Sequence, residues 1–188
     1  MMAPLITPED YRARFAHGLS FGEFVAGARN TPELWRNMAA RARLPAEVAD
    51  RATRIPGQWH LLVLLEDWCG DAVNTVPWLA ALADAVPSID LRVLGRDANP
   101  ALMNAHLSPT GGRAIPVVIV LDESFEEVGW WGSRPRALQA WVDSAEGQAM
   151  SKDARYREIR RWYARDGGRT TIDEVLAVAE EAAAGARA

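Results

Sequence analysis

The chain has 188 residues, of which 49% are hydrophobic and 24% are charged, a composition typical of one soluble globular unit with a substantial core. Its formal net charge of -4 gives no electrostatic reason to expect a nucleic-acid partner. The single cysteine excludes internal disulfides and four-cysteine zinc sites. No apolar run approaches the roughly 18 residues of a membrane-spanning helix, and the N-terminus has no secretory pattern. We therefore expect a cytoplasmic protein without a membrane partner.

The three histidines are scattered without metal-ligand spacing, so no metal site is expected. His60 and His106 are most simply boundary residues, and neither is assigned a catalytic role.

Residues 1–57 are predicted to form short helices that cover one side or edge of a sheet. Thr7 and Ser20 each begin a capping pattern with an acid three residues later, and Thr31 repeats a cap followed by proline. In the third helix the residues with helical spacing on one apolar face are Leu34, Trp35, Met38, Ala39 and Ala42. A further helix is expected over roughly Ala46 to Arg54, before Pro56-Gly57 interrupts the chain.

From His60 onward, the pattern alternates between strands and helices. The expected elements are a buried strand over Leu61–Leu65, a helix from Ala72 to Pro87, a parallel strand over Ile89–Leu94, a helix over Ala98–His106, a hairpin of Pro116–Leu121 with Phe125–Trp131, and a helix capped near Ser133. One of Trp130 and Trp131 must face away from the core, either as a binding surface or beneath the terminal helices.

Two more helices are predicted at the C-terminus. The first covers roughly Lys152–Asp166 and ends at Gly167-Gly168. The second is expected to open with a capping box that starts at Thr171. The arginines of the first helix favour a solvated face over an RNA-binding one.

The chain is organised around the stretch from Glu66 to Asp71, which contains Cys69 and follows the buried strand. This placement puts Cys69 at a strand-to-helix turn, where unpaired N–H groups and the helix dipole favour a thiolate. Trp68 is expected to shield one side of the sulfur, and Gly70 to let the backbone turn. The alternative is that Cys69 is only a small buried apolar residue.

Four segments, in order, resemble the thioredoxin superfamily. Trp68-Cys69-Gly70 matches the opening of the W-C-G-P-C redox motif, and Pro77 matches the proline that kinks the active-site helix. Asp97-Ala98-Asn99-Pro100 is similar to the D-x-N-P segment, and Arg113-Ala114-Ile115-Pro116 to the segment whose proline is cis and faces the reactive sulfur.

The resemblance implies an α/β fold with a thioredoxin-like βαβ-α-ββ-α core and additional helices at both ends. The core corresponds to 58–148, with a helical extension at 1–57 and another at 149–188, all in one globular unit. By the same resemblance, Trp68, Gly70, Ile115 and Pro116 would shape a substrate groove, with a cis bond between Ile115 and Pro116.

The sequence departs from the family pattern at three positions. Ala72 stands where the second motif cysteine would be, Asp71 replaces the motif proline, and Val63 replaces a buried acid. A mixed disulfide on Cys69 would therefore need a second thiol from another molecule, such as glutathione, another low-molecular-weight thiol or a protein. The turn from Gly132 to Arg136 could bind the carboxylate of such a thiol, although a polar helix cap explains it more simply.

Two hypotheses are carried forward; a thiol peroxidase is a third option, weakened because Asp67 and Trp68, and not a hydroxyl-bearing residue, precede the cysteine. In the first, Cys69 is the nucleophile of a monothiol thiol–disulfide exchange with protein or small-molecule disulfides, and Asp71 is a proton acceptor or only a helix-start acid. In that case Cys69 should be partly exposed, with a pKa below its ordinary value of about 8.5. In the second, the protein is a non-catalytic module that binds extended peptides between Trp68 and Pro116. The sequence specifies neither the substrate nor the oligomeric state.

Overall fold

The structure is a computed structural model and describes residues 6–186, so both predicted extensions have ends outside the described residues. Within this range the chain forms ten helices and four strands. Their order is α1 (Pro8–His17), α2 (Phe21–Gly27), α3 (Pro32–Arg41), α4 (Ala46–Thr53), β1 (Trp59–Leu65), α5 (Gly70–Ala85), β2 (Ile89–Gly95), α6 (Pro100–Ala105), β3 (Val117–Leu121), β4 (Glu127–Gly132), α7 (Arg136–Asp143), α8 (Ala145–Ala149), α9 (Lys152–Asp166) and α10 (Arg169–Gly185).

The four strands form one sheet in the order β2-β1-β3-β4. Strand β1 pairs with β2 in parallel, as expected for a strand–helix–strand unit, and β3 runs antiparallel to both β1 and β4. The apolar run from Leu61 to Leu65 is buried throughout, because β1 lies between two strands and is covered on both faces. This arrangement confirms the mixed α/β fold class with a thioredoxin-like core.

The N-terminal helices reach the open edge of the sheet. Leu19, between α1 and α2, exchanges two backbone hydrogen bonds with Val93 of β2, at 3.0 and 2.8 Å. The capping boxes predicted at Thr7 and Ser20 are both present. Helix α3 begins at Pro32 with Thr31 at the N-cap position, as predicted, but Thr31 has a left-handed backbone and makes no capping bond through its side chain, so only the expected side-chain cap is wrong.

Two further predictions about helix ends are also wrong. Helix α10 begins at Arg169, because Gly167 and Gly168 both adopt left-handed conformations and turn the chain before Thr171. Thr171 is consequently buried inside the helix and forms no cap. Helix α7 begins after Pro135, not at a cap on Ser133.

The C-terminal helices pack on both the sheet and the region around Cys69. Trp131 is buried beneath α10, and its indole N–H donates to Glu174 at 2.6 Å. A second apolar cluster joins α7 to α9 and contains Leu138, Val142, Ile159 and Tyr163. Tyr163 of α9 also donates a hydrogen bond to Asp71, so α9 lies next to the N-terminal end of α5.

His106 ends α6, as expected from the sequence, and it is buried, with 1% of its surface exposed. Its Nδ1 lies 2.7 Å from the carbonyl oxygen of Leu102, and its Nε2 lies 3.0 Å from Glu127 on β4. The Tyr11 hydroxyl donates to the other oxygen of Glu127. None of the helices in the described range has the length and apolar character that a membrane crossing requires.

Candidate functional site

Cys69 lies at the point where β1 gives way to α5. It is the N-cap residue of α5, which begins at Gly70, two residues before Ala72. The sulfur accepts a hydrogen bond from the N–H of Ala72 at 3.4 Å, and the thiol donates to the carbonyl oxygen of Ile115 at 3.3 Å. Cys69 is thus held between the start of a helix and the loop that precedes β3.

The environment of Cys69 differs from the one expected of a reactive thiol. The residue is buried, with 7% of its surface exposed. Burial raises the pKa of the Cys69 thiol; the Ala72 N–H opposes this effect, and the nearby Asp71 carboxylate adds to it. The partial exposure and lowered pKa that monothiol exchange would require are therefore not found at Cys69, because burial disfavours the thiolate more than the N-terminal end of the helix favours it.

Asp71 is bound by two side chains that the sequence analysis did not connect to it. Arg134 contacts both carboxylate oxygens, at 2.9 and 2.7 Å, and the Tyr163 hydroxyl donates at 2.8 Å. Burial alone would lower the pKa of Arg134, but Asp71 raises it on balance. The turn considered as a carboxylate site therefore does bind a carboxylate through Arg134, and that carboxylate belongs to the same chain.

The two other acids close to Cys69 in sequence have structural partners. Glu66 accepts the backbone N–H of Asp97 at 2.9 Å. Asp67 accepts the backbone N–H groups of Arg29 and Asn30, at 2.7 and 2.9 Å, and so fixes the loop between α2 and α3. Both carboxylates are occupied in holding loops together.

Trp68 and Gly70 are placed differently from expectation. Trp68 is 53% exposed and lies under the guanidinium of Arg96, whose central carbon is 5.1 Å from the ring, so most of its surface is not used to shield the sulfur. Gly70 is the first residue of α5 and has no left-handed backbone. A methyl group added to Gly70 would meet no other atom within 4 Å, so the turn does not require glycine.

A cleft of about 550 Å³ opens beside Cys69. Ile115 lines it, while Pro116 is buried and is not among the lining residues; the peptide bond between them is cis. The residues that line the cleft come from α3, the Cys69 turn and the start of α5, the loop after β2, the loops before β3 and α7, and α9: Leu34, Trp68, Cys69, Gly70, Asp71, Val73, Asn74, Arg96, Arg113, Ala114, Ile115, Ser133, Arg134, Tyr156, Ile159 and Arg160. Across residues 6–186, no group of three or more histidine, cysteine, aspartate or glutamate side chains is arranged to hold a metal ion.

A family model described as thioredoxin (Thioredoxin_9) matches residues 18–151 of this sequence. The chain belongs to the thioredoxin superfamily. The match begins about 40 residues before the segment in which the sequence motifs lie, so it includes most of the N-terminal helices.

Two solved structures resemble most of the chain. A Pseudomonas aeruginosa protein of unknown function, PA1234, is 27% identical, with a TM-score of 0.67 over 92% of this chain and 98% of its own. An HIV epitope scaffold is 26% identical, with a TM-score of 0.69 over 91% of this chain and 98% of its own. No curated protein matches.

One part of the site lies outside the segment that matches the thioredoxin family model. The match ends at residue 151, and α9 begins at Lys152. Tyr163, which binds Asp71, and Tyr156 and Arg160, which line the cleft, therefore come from the helix beyond the matched segment. Nothing in the sequence links the face of α9 that carries Tyr156 and Tyr163 to Asp71.

Proposed function

We propose that this thioredoxin-fold protein binds an extended peptide segment in the cleft beside Cys69, without covalent chemistry at the sulfur. The observation that carries the proposal is the contrast between a buried thiol and an open cleft. The Cys69 thiol donates a hydrogen bond to the carbonyl oxygen of Ile115, and burial raises the pKa of the thiol. The protonated thiol is therefore favoured near neutral pH. The chain has no second cysteine with which to complete a dithiol cycle.

The walls of the cleft support this role. Its volume of about 550 Å³ lies within the range of ligand sites in proteins. Exposed apolar side chains at its margin, from Leu34, Trp68 and Tyr156, provide surfaces that a peptide side chain could cover. The single unpaired cysteine fits a reducing compartment, so a cytoplasmic location is part of the proposal.

An array of short capped peptides tests the proposal directly. The unmodified protein and Cys69→Ala should bind the same peptides, with Kd values within about threefold, because the thiol is not used. Leu34→Ala should weaken binding by roughly tenfold, since an exposed apolar contact is lost. Leu107→Ala is the matched control, because Leu107 is also exposed but does not line the cleft.

Two outcomes would contradict the proposal. One is that no peptide binds the unmodified protein, and the other is that Cys69→Ala abolishes binding while the variant remains folded by circular dichroism.

Monothiol exchange is a second candidate, favoured by the contact between the Ala72 N–H and the sulfur. In this reaction the Cys69 thiolate attacks one sulfur of a substrate disulfide. A mixed disulfide forms, the other substrate thiolate leaves, and a thiol such as glutathione or a protein cysteine must then release Cys69. Intact-protein mass spectrometry after incubation with oxidised glutathione, with Cys69→Ser as control, separates this candidate from pure binding.

A further inference from the structure

The cleft is positively charged although the whole chain is acidic. Four arginines line it, and Asp71 is the one lining residue with a carboxylate. The Asp71 carboxylate is already occupied by Arg134 and Tyr163, and Arg96 pairs at 2.9 Å with Asp97. The formal net charge of the chain is -4, so this cluster of arginines is a local patch of positive charge on an acidic protein.

Two of these guanidinium groups are available to a ligand. Arg113 and Arg160 are both exposed, and within residues 6–186 neither takes part in a salt bridge. They come from different parts of the fold, since Arg113 lies in the loop before β3 and Arg160 lies on α9. A ligand in the cleft therefore meets guanidinium groups contributed by two separate elements.

Apolar surface accompanies this charge. Five large hydrophobic side chains are exposed in the described part of the chain, and three of them, Leu34, Trp68 and Tyr156, line this cleft. They too come from separate elements, namely α3, the Cys69 turn and α9. The combination suits a polypeptide that carries both carboxylates and apolar side chains, because each group finds its complement within the same cleft.

We propose that the cleft selects acidic polypeptide segments, with carboxylates against Arg113 and Arg160 and an apolar side chain against Trp68 and Tyr156. This inference rests on the proposed peptide binding and specifies its ligand. The C-terminal helix α9 then acts as a specificity element, because it supplies one of the two available guanidinium groups.

The test uses matched capped peptides that share their apolar residues and differ only in carrying glutamate or glutamine. We expect the glutamate peptide to bind about fivefold more tightly at low salt, and the difference to shrink at high salt. The double variant Arg113→Gln/Arg160→Gln should remove most of that preference, so that it binds the glutamate and glutamine peptides with similar affinity. Arg157→Gln is the matched control, because Arg157 is an exposed arginine of α9 that does not line the cleft.

The outcomes separate this inference from the proposed function. If peptides bind with equal affinity for the glutamate and glutamine forms, or if the preference survives in the double variant, the acidic selection is wrong and peptide binding stands. If no peptide binds, the proposed function fails and the inference fails with it. If an oligothymidylate of matching charge binds more tightly than the glutamate peptide, the guanidinium groups select phosphate, and the inference is overturned.

Discussion

At the scale of single residues, opposing influences act on the Cys69 sulfur. The N-terminal end of α5 and the Ala72 N–H stabilise negative charge there. Burial and the Asp71 carboxylate disfavour it, and burial is the largest effect. Asp71 in turn is bound by Arg134 and Tyr163. The surroundings of Cys69 therefore favour the thiol over the thiolate, although the residue lies at the start of a helix.

Asp71→Asn tests the electrostatic part of this balance. Removing the carboxylate leaves the positive charge of Arg134 near the sulfur, so the pKa of Cys69 should fall. Alkylation by iodoacetamide near neutral pH should be at least about threefold faster. The variant should also lose about 2–3 kcal/mol of stability, because Arg134 is left largely buried without its partner. Asp84→Asn, at the far and exposed end of α5, is the matched control and should change neither quantity. An unchanged alkylation rate in Asp71→Asn would show that Asp71 does not act on the sulfur.

Ala72→Cys tests whether position 72 has the geometry of a second motif cysteine. The backbone of Ala72 already lies close enough to the sulfur of Cys69 to donate a hydrogen bond. The variant should form a disulfide between positions 69 and 72 under mild oxidation and should gain insulin-reducing activity, which the natural chain should lack. Ala80→Cys places a thiol at another buried position of α5 and should do neither. Free thiols that persist in oxidised Ala72→Cys would contradict the placement.

At the scale of elements, the turn between α9 and α10 determines how the C-terminal helices pack against the core. Gly167 ends α9 and Gly168 caps α10, and both have positive φ angles, of 59° and 76°. A methyl group on Gly168 would overlap the Trp78 ring, whereas one on Gly167 would be 4.0 Å from it. The second glycine therefore permits close packing as well as a left-handed turn.

The pair Gly167→Ala and Gly168→Ala separates these two effects. Gly167→Ala should cost about 1 kcal/mol, the penalty of a left-handed backbone alone. Gly168→Ala should cost about 3 kcal/mol or more, since Trp78 must also move. Urea denaturation measures both. Equal losses of stability in the two variants would mean that the contact with Trp78 does not constrain the turn between α9 and α10.

At the scale of the whole molecule, local sequence patterns predicted most of the fold. The apolar run of β1, the extent of α9 and the parallel pairing of β1 with β2 were all expected, because each follows from periodicity or chain connectivity. The site was less predictable, since Asp71 meets Arg134 and Tyr163 across 63 and 92 positions of the chain. Such contacts depend on where whole helices dock.

Two residues show how tertiary packing overrides a local pattern. Leu34 lies on the apolar face of α3 by its spacing, yet it is exposed at the margin of the cleft. His106 lies at the end of a short helix, yet it is buried because Glu127 on β4 supplies a partner for its ring. Neither outcome could be deduced from neighbours in sequence.

The cluster of Tyr11, His106 and Glu127 ties the N-terminal helix to the sheet and gives the protein an acid-sensitive contact. Burial raises the pKa of Glu127, but the hydrogen bonds from His106 and Tyr11 lower it by more, so its pKa is depressed on balance. A depressed carboxyl pKa stabilises the fold above the unfolded value of about 4.3, and this contribution is lost as pH falls through the folded value.

Glu127→Gln should therefore destabilise the protein near neutral pH by about 1 kcal/mol, because the side chain is 28% exposed and partly screened. The difference from the natural chain should shrink as the pH approaches about 3. Thermal unfolding as a function of pH measures it, with the exposed neighbour Glu126→Gln as control. A difference that is constant across this range would rule out the ionised carboxylate as its source.

The central claim is that this protein binds its ligand in the cleft while the Cys69 thiol stays protonated. The pH profile of Cys69 alkylation tests this claim most directly. With one cysteine in the chain, the rate of iodoacetamide labelling from about pH 6 to about pH 10 reports on that thiol alone. We predict slow labelling near neutral pH and an apparent pKa above the ordinary value of about 8.5, with the denatured chain as the reference. Fast labelling near neutral pH with an apparent pKa below that value would contradict the account and favour monothiol exchange.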